Sequence, residues 1–260
     1  MTELLWGGAI NFALFCASVL SGMLGIGVAF AAIPILSLSG GDLVHELQPV
    51  ALFLNGITAL FSAIAFARAG HVDWARALWL ACAATLFAPL GAYFAQSADP
   101  GALWNCYLAA VLVVVVLLFV HRRRGRGANR LGTELAATVP ISAFSGLLGV
   151  GPGFLLVPVL IFLGRTPRAA AAMNAVAVVP SSFAALIPHL ESMHVDSARY
   201  VLVVLLAAAG ALLGGYLASY RVPDRKLRYL FASVLLGLAL YKAIALYGYP
   251  ATVTAEPLVR

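Results

Sequence analysis

The sequence predicts an all-α, polytopic membrane protein made of two homologous halves, and three observations carry that prediction. Hydrophobic residues make up 63% of the chain and charged residues 10%, with a mean hydropathy of +0.99. A water-soluble globule of 260 residues needs more polar surface than this leaves. Apolar runs of the ~20 residues that a helix needs to cross a ~30 Å hydrocarbon core recur along the chain, for example at 102–120 and 201–220. A transmembrane barrel would show short alternating segments instead. Finally, the chain repeats itself. Ser21 to Leu36 reads SGMLGIGVAFAAIPIL and Ser145 to Leu160 reads SGLLGVGPGFLLVPVL, with eight of sixteen positions identical. His71-Val-Asp-Trp-Ala-Arg76 returns as His194-Val-Asp-Ser-Ala-Arg199, and Leu90-Gly-Ala-Tyr-Phe-Ala95 as Leu213-Gly-Gly-Tyr-Leu-Ala218.

The elements follow in order. The first repeat, 1–120, opens on a glycine-broken apolar stretch at 4–38 and continues with spans at 47–67, 74–95 and 102–120. Glu3 and the absence of Lys or Arg before the first run lack the basic start of a cleaved signal peptide, so that run is expected to stay. A short basic linker, 121–133, carries HRRRGRGANR and suits a cytoplasmic connection. The second repeat, 134–260, copies the first with a broken stretch at 134–163 and spans at 169–187, 198–220 and 227–246.

Each broken stretch is too long for one straight span and too short for two. It is either a re-entrant hairpin or a single discontinuous crossing. A hairpin plus three spans gives each half an odd number of crossings and inverts the halves; a single crossing leaves them parallel. In the inverted arrangement the linker side holds Arg68, Arg76, five linker arginines, Arg165, Arg168 and the four cations from Arg221 to Arg228. That is thirteen of the sixteen Lys and Arg residues, against ten in the parallel arrangement. The positive-inside rule therefore favours inverted repeats. The net charge of +6 is explained by these flanking loops rather than by nucleic acid.

Candidate site residues come from the breaks and from the few polar groups within spans. Gly25 and Gly27, and Gly149, Gly151 and Gly153, let the backbone leave the helix, and exposed N–H groups at depth are tolerated only beside protein or a wet cavity. A half-helix starting after such a break turns its N-terminal N–H groups and positive dipole end toward an anion. Pro152 suits a first-turn position, while Pro34 and Pro158 are expected to kink or end the second arm. Close helix packing is the plainer use of such glycines, but the duplication of the breaks points to function. Asn55 and Thr58 lie one turn apart on the second helix, and Asn174, Ser181 and Ser182 lie on its counterpart. They can add neutral donors to the site or act as interhelical glue.

Arg68 and Arg165 at helix edges can draw anions to an entrance or simply anchor topology. Asp73 and Asp196 in the repeated His-Val-Asp are expected to be helix N-caps. No Asp or Glu falls mid-span; Glu134 and Lys242, near helix ends, come nearest to a coupling group. Cys16, Cys82 and Cys106 lack metal-ligand spacing, and neither a metal nor a cofactor is expected.

These residues resemble the sulfite exporter TauE/SafE family. The resemblance rests on the glycine motif beginning each half, Ser21 to Leu36 and Ser145 to Leu160, and on Gly70-His-Val-Asp-Trp74. It implies a bacterial inner-membrane transporter of sulfite, an organosulfonate or a related sulfur-containing anion, often acting outward. The chain departs from the family's usual glycine run at Gly25-Ile-Gly27-Val-Ala and Gly149-Val-Gly151-Pro-Gly153. It also carries Met173-Asn174 where many members have Thr-Ser.

The leading reading is a secondary transporter of a small anion, not an enzyme, working by alternating access between two repeats. No ATP-binding loop is present. The alternatives are a transporter of small carboxylates, an anion channel and a non-transporting accessory subunit. A haem protein would need paired mid-span histidines, whereas His45, His71, His121, His189 and His194 lie in loops or at helix ends. The expected partners are the lipid bilayer, the anionic substrate and, through small-residue faces such as Gly214-Gly215, a second copy in a homodimer.

Overall fold

The computed structural model describes residues 2–37, 42–119, 131–191 and 197–227 with a few positions between 229 and 237. Most of the linker, Asp196 and most of the expected span at 227–246 lie outside them. The described residues form helices and no strand: α1 (Thr2–Leu24), α2 (Ala29–Leu36), a π-helical turn (Leu43–Leu47) running into α3 (Gln48–Arg68), α4 (Trp74–Ala95), α5 (Pro100–Phe119), α6 (Leu131–Leu147), α7 (Gly153–Phe162), α8 (Pro167–Leu186) and α9 (Ser197–Tyr220). Four are long and apolar enough to cross a membrane: Leu43–Arg68, Trp74–Ala95, Pro167–His189 and Val201–Tyr220.

Local chemistry explains where several helices start. Asp42 accepts hydrogen bonds from the Val44 and His45 N–H groups, both at 2.8 Å. Asp73 accepts from Arg76 N–H and Thr166 from Ala169 N–H, each satisfying a donor that has no partner within its helix. Pro49 and Pro167 occupy first-turn positions where a missing N–H costs nothing. The expectation for Asp73 as a cap agrees with this geometry.

Helices α3 and α8 form the centre, and both are largely buried. Around them α4 and α9 each present an alanine face inward, including Ala77, Ala81, Ala84 and Ala88 on α4 and Ala207, Ala211 and Ala218 on α9. Their other faces expose Trp79, Leu86, Leu205 and Tyr216, which a hydrocarbon surrounding accommodates and water does not. Both helix faces are apolar, so no polar stripe separates them.

The halves interlock. α1 lies against α9, where the Cα of Gly22 meets the backbone of Ala211 and that of Gly214 meets the Val19 carbonyl. α6 lies against α4 in the matching way, with Gly146 on Ala88 and Gly91 on the Ala143 carbonyl. A Cβ at any of these four glycines would collide with backbone, so the close crossings require them.

Side-chain ties gather helix ends into two groups. At one end, His71 Nε2 lies 3.3 Å from the Ser219 carbonyl, and Arg168 donates to the carbonyls of Ala218 at 3.1 Å and Val222 at 2.6 Å. Glu134, at the start of α6, accepts from Arg165 Nε at 2.7 Å, just past the end of α7. Arg76 Nη1 of α4 stands 3.5 Å from the same carboxylate. At the other end, Gln96 after α4 donates to the Pro188 carbonyl after α8. Consequently α3 runs opposite to α8, and α4 opposite to α9.

The Glu134–Arg165 pair also fixes the path of the second broken stretch. A straight helix of the 31 residues separating them would hold the two ~46 Å apart. Contact instead means that α6 and α7 double back, with Gly149 to Gly153 at the turn.

Pro34 and Pro158 sit inside α2 and α7, which continue to Leu36 and Phe162 rather than ending at the proline. A proline cannot donate to the carbonyl four residues earlier. For Pro34 that carbonyl belongs to Phe30, and Tyr107 Oη of α5 donates to it at 2.6 Å. The tyrosine replaces the hydrogen bond that the proline removed.

Candidate functional site

The two breaks share one backbone construction. Gly25 and Gly149 have φ of +63° and +68°, and Gly27 and Gly151 have φ of +75° and +69°. This left-handed region disfavours residues with a Cβ, which explains glycine at all four positions. Gly25 and Gly149 end α1 and α6 as a C′ residue does: Ile26 N–H donates to the Ser21 carbonyl at 3.3 Å and Val150 N–H to the Ser145 carbonyl at 3.1 Å. Two residues later Gly27 and Gly151 turn the chain into α2 and α7. Every residue from Ser21 to Ala29 and from Leu148 to Gly153 is buried.

At the first break the two leading N–H groups of the half-helix are satisfied by protein. Val28 N–H donates to Thr58 Oγ1 at 3.1 Å, and Ala29 N–H donates to Asn55 Oδ1 at 2.9 Å. The other end of the Asn55 amide donates to Ser182 Oγ on α8 at 2.9 Å. Asn55 thereby ties the first break to the central helix of the second half. The α-carbons of both Gly27 and Gly151 press on its amide, so a methyl group at either would overlap Asn55.

At the second break the arrangement differs. Pro152 stands where the first copy has Val28 and has no N–H to donate. No side chain caps α7, and among the described residues the N–H groups of Gly153 and Phe154 have no acceptor. Ser181, the counterpart of Thr58, bonds only within its own helix, to the carbonyls of Ala177 at 3.0 Å and Val178 at 3.2 Å. Gly153 instead packs its α-carbon on the Ile26 carbonyl of the first break, so the two breaks touch. Asn174 crosses in the other direction: its Nδ2 donates to the Gly25 carbonyl at 2.6 Å, while its Oδ1 is buried without a partner.

The structure thus brings Gly25, Gly27, Gly149, Gly151, Gly153, Asn55, Thr58, Asn174 and Ser182 into one buried centre, with Ser181 on the adjoining turn of α8. Sequence reasoning missed Gln48. This first residue of α3 is fully buried, lies over Gly149, and has neither amide atom hydrogen-bonded. It stands at the head of a span, and the local signal there is the Gln-Pro pair.

Arg68 and Arg165 lie away from this centre. Arg68 is exposed in the last turn of α3. Arg165 is largely covered and paired with Glu134, which is fully buried and also faces Arg76; Arg76 in turn pairs with Asp73 at 3.2 Å. Charges this enclosed persist only when paired.

A family model described as sulfite exporter TauE/SafE matches residues 10–242. A probable membrane transporter protein of Xylella fastidiosa strain Temecula1 is 28% identical over 250 residues, covering 90% of this chain and 91% of that protein. A probable membrane transporter protein of strain 9a5c is 31% identical over 172 residues, 62% of each. No solved structure matches the chain significantly. With duplicated glycine breaks buried between apolar helices and a family match spanning most of its length, the chain is a multi-pass membrane protein that belongs to the TauE/SafE family of membrane transporters.

Proposed function

We propose that the protein is a secondary transporter that exports a small sulfur-containing anion, sulfite or an organosulfonate, across the bacterial inner membrane. The observation that carries the proposal is the meeting of two positive-φ glycine breaks in a buried centre around Asn55, where the Gly153 N–H at the start of α7 has no acceptor among the described residues and neutral polar side chains stand beside it in place of charges. Such donors suit an anion that must be stripped of water, held and released, because a fixed cation in its place would hold too tightly. The wider substrate-binding set is Gly25, Gly27, Gly149, Gly151, Gly153, Asn55, Thr58, Asn174, Ser181 and Ser182, with Arg68 and Arg165 at the entrance.

Both broken segments are read as re-entrant hairpins in inverted halves, 1–120 and 134–260, with the linker cytoplasmic. The Glu134–Arg165 contact, the opposed directions of α3 and α8, and the linker-side excess of arginine support this arrangement. Each hairpin packs on the outer helix of the opposite half. Relative movement of the two repeats would then expose the centre to each side of the membrane in turn.

The test is thermal unfolding of detergent-purified protein against sulfite, sulfate, thiosulfate, taurine and small carboxylates. The proposal expects a selective rise in Tm with sulfite or a sulfonate. A folded, monodisperse protein that responds to no anion would contradict it, and a response confined to carboxylates would reassign the substrate.

A further inference from the structure

The two breaks are alike in backbone and unlike in what surrounds them, and the difference separates a strut from a site. At the first break, Thr58 and Asn55 already accept the leading N–H groups of α2. The Ala171 backbone packs against Gly25 there, and the Gly25 carbonyl is taken by the Asn174 amide. At the second break, proline removes one donor, the Gly153 N–H has no acceptor among the described residues where its equivalent Ala29 has Asn55, and Gln48 occupies the place of Ala171.

Gln48 is the more telling of these features. It is fully buried, and both its Nε2 and Oε1 lack a hydrogen-bond partner. Burying an amide unpaired is costly, and native structures seldom do so without a purpose. The side chain does not lie there by default: a π-helical turn, Leu43–Leu47, precedes it, with the Gln48 N–H reaching back to the Leu43 carbonyl. Such wide turns re-aim the residues that follow and recur at functional sites. Ser145, one helical turn before Gly149 on α6, has a buried hydroxyl without a partner; its equivalent Ser21 at the first break does too, so the serine adds a donor without distinguishing the breaks, and Gln48 carries the difference.

We infer that the transporter has one oxyanion site rather than two, formed at the second break by the Gln48 amide, the Ser145 hydroxyl and the free N–H groups of Gly153 and Phe154, while the first break is a structural strut held by Asn55. This rests on the anion-transport reading and narrows it. The donors are neutral and lie on the residues that flank one turn, Gly149 to Gly153, with the Gln48 stem over Gly149, which fits a compact sulfite or sulfonate group. Gln48 also supplies an acceptor in Oε1, so an oxyanion that carries a proton is accommodated as well.

The test compares wild type with Gln48→Met, which keeps the length of the side chain and removes both polar atoms. Tryptophan-fluorescence melts of full-length detergent-purified protein are titrated with sulfite at constant ionic strength. Gln48→Met is expected to melt at or above the wild-type temperature without ligand, because the two unpaired polar atoms of Gln48 are then gone. Its half-saturating sulfite concentration is expected to rise at least tenfold. If Gln48→Met does not fold, Gln48→Asn, which withdraws the amide by one methylene, is expected to shift the titration the same way. A folded variant that answers sulfite as the wild type does overturns the inference and leaves the transport reading standing. A Gln48→Met protein that melts lower yet keeps the wild-type sulfite response marks a packing role and also overturns it. A wild type that answers no anion overturns both.

Discussion

Asn55 concentrates the most structural consequence in one side chain. Its Oδ1 caps the N-terminus of α2, its Nδ2 reaches Ser182 across the centre, and two glycines of opposite halves leave room for its amide. Replacing it with alanine strands the buried Ala29 N–H and removes the link to α8, so Asn55→Ala should cost about 1–3 kcal/mol of stability. Thr58→Val removes one acceptor and keeps the shape, and should cost about 1 kcal/mol. Thermal melts of the two variants check the order; a Thr58→Val loss exceeding that of Asn55→Ala would contradict it. In the sequence Asn55 stood out as a rare polar residue mid-span. Its use as a cap for a helix in another segment could not be read there, because that requires knowing that the first break packs on α3.

The same limit appears with the helices. Among the described residues their positions were legible from apolar length, and the interruptions from glycine spacing, since both depend on local chain properties. The persistence of α2 past Pro34 was not legible, because it depends on Tyr107 arriving from α5. That dependence makes a double-mutant cycle informative. Tyr107→Phe should cost about 1–3 kcal/mol by leaving the Phe30 carbonyl buried and unpaired. In a Pro34→Ala background the restored N–H can take that carbonyl, so the same change should cost clearly less. Equal losses in both backgrounds would show that Tyr107 does not compensate for the proline. The pairing of Glu134 with Arg165 was likewise hidden: each was noted near a helix end, and only the doubling back of α6 and α7 joins them.

For the molecule as a whole, internal duplication was the most informative signal in the chain, and it also conceals an asymmetry. Equivalent glycines build equivalent turns. Val28 against Pro152 and Ala171 against Gln48 then give the two turns different chemistry. The interlocking of α1 with α9 and of α6 with α4 could not be anticipated, because repeats fold side by side or intertwined with the same hydropathy pattern. Intertwining makes the centre common to both halves, so a change at one break reaches the proposed transport site from either half. Gly151 is the point at which this is sharpest. A branched side chain there meets both an unfavourable φ, costing about 1–2 kcal/mol, and the Asn55 amide. The most direct measurement is counterflow of labelled sulfite into proteoliposomes preloaded with unlabelled sulfite, for wild type and Gly151→Val, each shown to be folded. Transient accumulation is expected with wild type and none with Gly151→Val; accumulation by Gly151→Val at the wild-type rate would show that the break is not part of the transport site.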